Sequence, residues 1–159
     1  MIVYSPRDTR SKRFMAATKM QPLGVFLASA NKAQYEALSL VFKQQQGAYI
    51  LGGAVDTHGV LENVPQCHTD ILLLDWELPV QSVLFPRNGE SVPELAVPDL
   101  IKLLRSSMEQ LHIIVLTLKP EIESEALAAG ADAVVSKTTS PEKMLASLID
   151  QISSQRSTV

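Results

Sequence analysis

Three short apolar runs in this chain end on residues that could together hold a phosphoryl group. Ile71-Leu72-Leu73-Leu74 runs into Asp75, Ile113-Ile114-Val115-Leu116 into Thr117, and Ala133-Val134-Val135-Ser136 into Lys137. An Asp carboxylate is a competent nucleophile toward phosphoryl groups. A hydroxyl can hydrogen-bond a phosphoryl oxygen, and an ammonium can neutralise its charge. Each residue alone is ordinary, and Asp75 by itself reads equally well as an acceptor for loop N–H groups. A carboxylate, a hydroxyl and an ammonium at three successive strand ends form a coherent set.

The runs imply the elements that must position these groups. Four consecutive aliphatics before Asp75 describe a strand buried on both faces, as in a parallel sheet. In open parallel sheets, ligands sit at the carboxyl ends of the strands. The pattern predicts five strand–helix units. The first strand spans 23–29, and a helix capped by Asn31 follows to about Gln45, burying Ala37, Leu38, Val41 and Phe42. A second strand over 48–55, loosened by Gly52-Gly53, leads to a short helix ending before Pro65. The third strand ends at Asp75, and Pro98 begins a helix with Leu100, Leu103, Leu104, Met108 and Leu111 on one stripe. The fourth strand ends at Thr117, and Pro120 opens a helix that Gly130 closes. The fifth strand is followed by a helix from Ser140-Pro141-Glu142, with Leu145, Leu148, Ile149 and Ile152 at helical spacing. Strands alternating with helices predict an α/β fold with a doubly wound, five-stranded parallel sheet of order 2-1-3-4-5.

Composition bounds the remainder. The 159 residues suit one domain with a sizeable core. No apolar stretch approaches a membrane span, and the N-terminus has no secretory h-region, so a cytoplasmic protein is expected. Cys67 is the single cysteine; it excludes an internal disulfide, and with His68 alone beside it makes no zinc site. Residues 1–20 carry five basic side chains against Asp8, a net +4, while nine basic and sixteen acidic side chains give the remainder −7 and the whole −3. The acidic domain argues against direct nucleic-acid binding. The expected organisation is a basic, flexible N-terminal extension over 1–22, a domain over 23–153 with a long loop over 80–97, and a tail over 154–159. Pro86, Asn88-Gly89 and Pro93 mark that loop, where Val83-Leu84-Phe85 is apolar enough to pack against something.

With these residues in view, the chain resembles a response-regulator receiver domain of two-component signalling, closest to the receivers of LuxR-type regulators. The resemblance spans roughly Leu23 to Ile152. It rests on the segments Ala48–Ala54, Asp70–Pro79, Ile113–Thr117, Ala128–Lys137 and Ser140-Pro141-Glu142. It implies that Asp75 accepts a phosphoryl group from a histidine kinase or another phosphodonor, and that Thr117 and Lys137 sense it. It implies no enzyme beyond self-phosphorylation and self-dephosphorylation. Signalling to an output or partner protein, and a homodimer through the fifth helix, follow by analogy.

The chain departs from that family at three places. Two adjacent acids normally follow the first strand and hold a divalent cation together with the phosphorylated Asp; here Ser29 and Ala30 stand there. Magnesium prefers hard oxygen ligands, so Asp75 and the Glu77 backbone carbonyl are expected to bind Mg2+ poorly. Leu118 replaces the small residue that leaves access to the site, and Val134 replaces the aromatic switch residue. Two readings result: an atypical receiver phosphorylated weakly or slowly on Asp75, or a phosphorylation-independent pseudo-receiver that acts as a protein-interaction module. In the second, Asp75 and Lys137 form a buried ion pair capped by Thr117.

Overall fold

The computed structural model describes residues 2–4, 22–44, 47–80 and 94–157. Its strands are β1 (Ile2–Tyr4), β2 (Leu23–Ala28), β3 (Ala48–Ala54), β4 (Ile71–Asp75), β5 (His112–Thr117) and β6 (Ala133–Ser136). The helices are α1 (Lys32–Gln44), α2 (Thr57–Asn63), α3 (Val97–Ser107), α4 (Glu123–Ala129) and α5 (Pro141–Ser157). The sheet order is β1-β6-β5-β4-β2-β3. Strands β2 to β6 are parallel and carry the expected 2-1-3-4-5 order.

The sheet has one strand more than five. β1 pairs antiparallel with β6, placing Ile2 against Val135 and Tyr4 against Ala133. The flexible extension expected over 1–22 therefore begins with a sheet strand; residues 5–21 lie outside the described residues. Ile2-Val3-Tyr4 is β-branched and aromatic, a good strand composition. It pairs with backbone groups of β6 that would otherwise form a sheet edge.

Alternation along β4 explains its unbroken apolar run. Leu72 and Leu74 pack with Phe26, Ile113 and Val115 under Val60, Leu100, Leu104 and Ala126. Ile71 and Leu73 face the opposite layer, with Leu38, Phe42, Leu145, Leu148 and Ile152. Thus α1 and α5 cover one face while α2, α3 and α4 cover the other, and every β4 residue is buried.

Several local readings need correction. Ala37 and Leu103, expected in the core, are exposed, Leu103 by 47%. Helix α1 buries the narrower set Leu38, Val41 and Phe42. Helix α2 does end before Pro65, at Asn63, and Pro65 enters a 3-10 turn over Val64–Gln66 that needs no N–H from it. The tail expected from 154 is helical through Ser157. The apolar segment Val83-Leu84-Phe85 lies outside the described residues. The Asn31 cap is observed: its Oδ1 accepts the Gln34 N–H at 3.1 Å.

Gly53 has a steric purpose beyond loosening the strand. A Cβ there would run into the Tyr35 ring and approach the Leu27 carbonyl oxygen to 2.8 Å. Tyr35 can rotate away, but the Leu27 backbone is fixed in the sheet. Gly53→Ala is expected to destabilise the fold by about 2 kcal/mol through overpacking. A urea midpoint unchanged from the parent would contradict this.

Candidate functional site

Strands β4, β5 and β6 deliver Asp75, Thr117 and Lys137 to one edge of the sheet. Asp75 lies opposite Leu116, and Thr117 opposite Ser136. The segment that follows each strand is tied to its neighbour. Trp76 N donates to Leu116 O at 2.9 Å, and Lys137 N donates to Thr117 O at 2.9 Å. These bonds extend the ladders one residue past the strands and hold the side chains in register.

Asp75 and Lys137 meet directly. Lys137 Nζ lies 2.7 Å from Asp75 Oδ1, and the two side chains are 16% and 6% exposed. The same oxygen accepts the Glu77 N–H at 3.0 Å. One carboxylate oxygen thus takes two donors, one of them cationic, which offsets much of the cost of burying the charge.

Thr117 is at the edge but not in that contact. It is 3% exposed, and its Oγ1 accepts the Lys119 N–H at 2.9 Å. It therefore closes the turn after β5 instead of capping the Asp75–Lys137 pair, because the backbone N–H two residues on is the nearer partner. Leu118, in that turn, is 59% exposed. Val134 is buried in the layer of α3 and α4.

Ser29 is buried at the end of β2. Its Oγ accepts the Asn31 N–H at 3.1 Å, which ties the hydroxyl to the entry of α1. Ala30 is exposed and supplies no side-chain donor atom. The oxygens available beside Asp75 therefore include a single buried carboxylate, already bonded to Lys137 and Glu77 N. A magnesium ion at this edge would find one carboxylate, which Lys137 and the Glu77 N–H already engage. Among the described residues, no group of three or more His, Cys, Asp or Glu side chains is arranged to hold a metal ion.

Two charged features escaped the sequence reading. Glu77 and Lys119 form an exposed pair at 3.8 Å, joining the segments that follow β4 and β5. Spacing gives no hint of it, because forty-two positions separate them in the chain. Arg105 and Asp132 form a second, more buried pair at 2.6 Å. It lies among the backbone carbonyls of the α3–β5 and α4–β6 connections, remote from Asp75 in the sequence of elements.

The fold is that of response-regulator receiver domains. The isolated receiver domain of RcsB from Salmonella enterica serovar Typhimurium, determined with the phosphomimetic BeF3-, is similar with a TM-score of 0.66 at 20% identity. The similarity covers 86% of this chain and 92% of that domain. The non-phosphorylated RcsB receiver domain from Escherichia coli gives 0.68 at 20% identity, covering 86% and 97%. The receiver domain of the putative response regulator NarL from Mycobacterium tuberculosis gives 0.64 at 17%, covering 82% and 98%. Against a longer RcsB chain from Salmonella typhimurium, the similarity covers 64% of that chain's length. No protein-family model matches the sequence, and no curated protein matches it. No helix among the described residues is long and apolar enough to cross a membrane.

Proposed function

We propose that this chain is an atypical receiver in phosphorelay signalling, which accepts a phosphoryl group on Asp75 slowly and signals through protein–protein contacts. The observation that carries this reading is the convergence of all three groups, Asp75, Thr117 and Lys137, at the carboxyl edge of a receiver-type sheet. A carboxylate oxygen of Asp75 attacks the phosphorus of a phosphodonor, and the bond from phosphorus to the donor's leaving group breaks. The product is an acyl phosphate. Lys137, held beside the carboxylate, supplies the positive charge that the phosphoryl oxygens require. Thr117 supplies a hydroxyl at the same edge: its oxygen accepts the Lys119 N–H, and its proton, in only a 3.4 Å contact with Lys119 O, can turn to a phosphoryl oxygen.

The slowness rests on Ser29 and Ala30. With no carboxylate pair, a divalent cation has few ligands, and the charge of the transferring group is less well neutralised. The ammonium of Lys137 also engages the nucleophile before transfer, which lowers its reactivity. The phosphodonor is a histidine kinase or a small acyl phosphate. The partner is an output or effector protein, and the single free thiol, Cys67, suits the cytoplasm.

A second reading is a pseudo-receiver whose Asp75–Lys137 pair is purely structural. It is favoured by Ser29, whose hydroxyl is committed to Asn31 N, and by the donor-free Ala30. Incubation with acetyl phosphate, with and without magnesium, followed on a phosphate-affinity gel, separates the two. The expected result is a slowly growing shifted band, little accelerated by magnesium and abolished in Asp75→Asn. A fast band that strictly needs magnesium would mean an ordinary receiver. No band in the parent, with partner binding unchanged in Asp75→Asn, would leave the pseudo-receiver reading.

A further inference from the structure

We infer that the outward face of α1, beside the outer side of β3, is a self-complementary surface that pairs with a second copy of this chain in antiparallel fashion. This goes beyond the phosphoacceptor reading and does not depend on it.

Leu40 is 60% exposed on a helix whose buried residues are Leu38, Val41 and Phe42. It borders an open groove of about 620 Å³ lined by Tyr35, Glu36, Ser39, Leu40, Lys43 and Ile50. Among the described residues β3 has no strand on its outer side. Ile50 and the Tyr35 ring, which lies against Gly53, therefore form an apolar border to this groove at the end of the sheet.

The charges select the occupant. Glu36, Leu40 and Lys43 follow an i, i+4, i+7 spacing and share one stripe. Along the axis, Glu36 lies about 6 Å before Leu40 and Lys43 about 4.5 Å after it. When two such helices cross antiparallel at Leu40, Glu36 of each copy falls opposite Lys43 of the other. A parallel crossing would instead set Glu36 against Glu36 and Lys43 against Lys43. An isologous two-fold interface needs this self-complementarity. Within one copy Glu36 contacts Lys32 at 3.9 Å, with side chains 63% and 88% exposed. Such a surface pair is too weak to hold Glu36 back. At the two-fold, Leu40 of each copy enters the groove of the other and excludes water from the Tyr35 and Ile50 border.

The test is the mass of the full chain by sedimentation equilibrium from micromolar to submillimolar concentration. A monomer–dimer equilibrium is expected. Each substitution acts twice in a symmetric dimer, so Leu40→Asp should weaken it by on the order of a hundredfold. Glu36→Lys and Lys43→Glu should each weaken it roughly tenfold. The double reversal Glu36→Lys with Lys43→Glu should restore most of the association, which no loss of folding can mimic. Melting curves of all variants check that each remains folded. A parent that stays monomeric throughout overturns the proposal. So does a dimer indifferent to Leu40→Asp, or a double reversal no better than the single ones.

Discussion

Arg105→Ala is expected to destabilise the protein by about 3 kcal/mol, the low end of the range for removing one partner of a buried ion pair, since this pair is part-buried. The Arg105 guanidinium forks to several groups. Its Nε and Nη2 donate to Gly130 O at 3.0 and 2.9 Å. Nη1 donates to Leu111 O at 2.8 Å and Glu109 O at 3.2 Å, with a longer contact to Met108 O. Nη2 also meets Asp132 Oδ2 at 2.6 Å. Asp132 Oδ2 in turn accepts the Ile113 N–H at 2.8 Å. One side chain thereby satisfies carbonyls from the end of α3, the turn into β5 and the end of α4. Its removal takes the Arg105 cation from the Asp132 carboxylate, which is only 12% exposed. Arg105→Lys should recover only part of the loss, because an ammonium cannot fork to several carbonyls at once. The measurement is a urea titration at constant slope. A loss under 1 kcal/mol for Arg105→Ala would show that water replaces the guanidinium without penalty.

The second large effect is an asymmetry within the candidate site. Lys137→Met is expected to destabilise the fold by about 3 kcal/mol, while Asp75→Asn costs markedly less. The reason lies in how far each partner can escape. The Asp75 side chain is 6% exposed and short. Without Lys137 it keeps the Glu77 N–H and stays buried. Lys137 is 16% exposed on a long aliphatic stem, so without a carboxylate its ammonium can swing to water. The double variant Asp75→Leu with Lys137→Met should come close to the parent, because two apolar groups of similar volume remove the desolvation penalty. A double-mutant cycle in urea over Asp75→Leu, Lys137→Met and their combination measures this coupling. Equal losses for the two single variants would contradict the asymmetry. If Lys137→Met were neutral, Asp75 would have to find other partners, and the role of Lys137 as its built-in counter-charge would fall.

Much of this architecture was legible along the chain. The apolar runs before Asp75, Thr117 and Lys137 marked three buried strands, and helical periodicity between them required crossovers. The order 2-1-3-4-5 is one of the common doubly wound arrangements, and β2 to β6 adopt it. The sequence reading failed where a residue's environment depends on distant segments. Ala37 and Leu103 sit on apolar stripes wider than the surface that the sheet offers. Ile2-Val3-Tyr4 is too short to declare itself a strand until the edge of β6 gives it a partner.

The sequence by itself determined which chemical groups stand at the strand ends, because a strand that is apolar throughout must expel its first polar residue to the sheet's edge. It also determined that Ser29 and Ala30 supply no acid pair, since residue identity alone settles that. Only the tertiary structure decided how those groups pair. Asp75 takes Lys137 and the Glu77 N–H, Thr117 turns to Lys119 N, and Ser29 turns to Asn31 N. Each hydroxyl chose a backbone donor two residues away, and Asp75 chose a cation sixty-two residues away. Hydrogen bonds and ion pairs are decided over a few ångströms, and no pattern along the chain reports distance across the sheet.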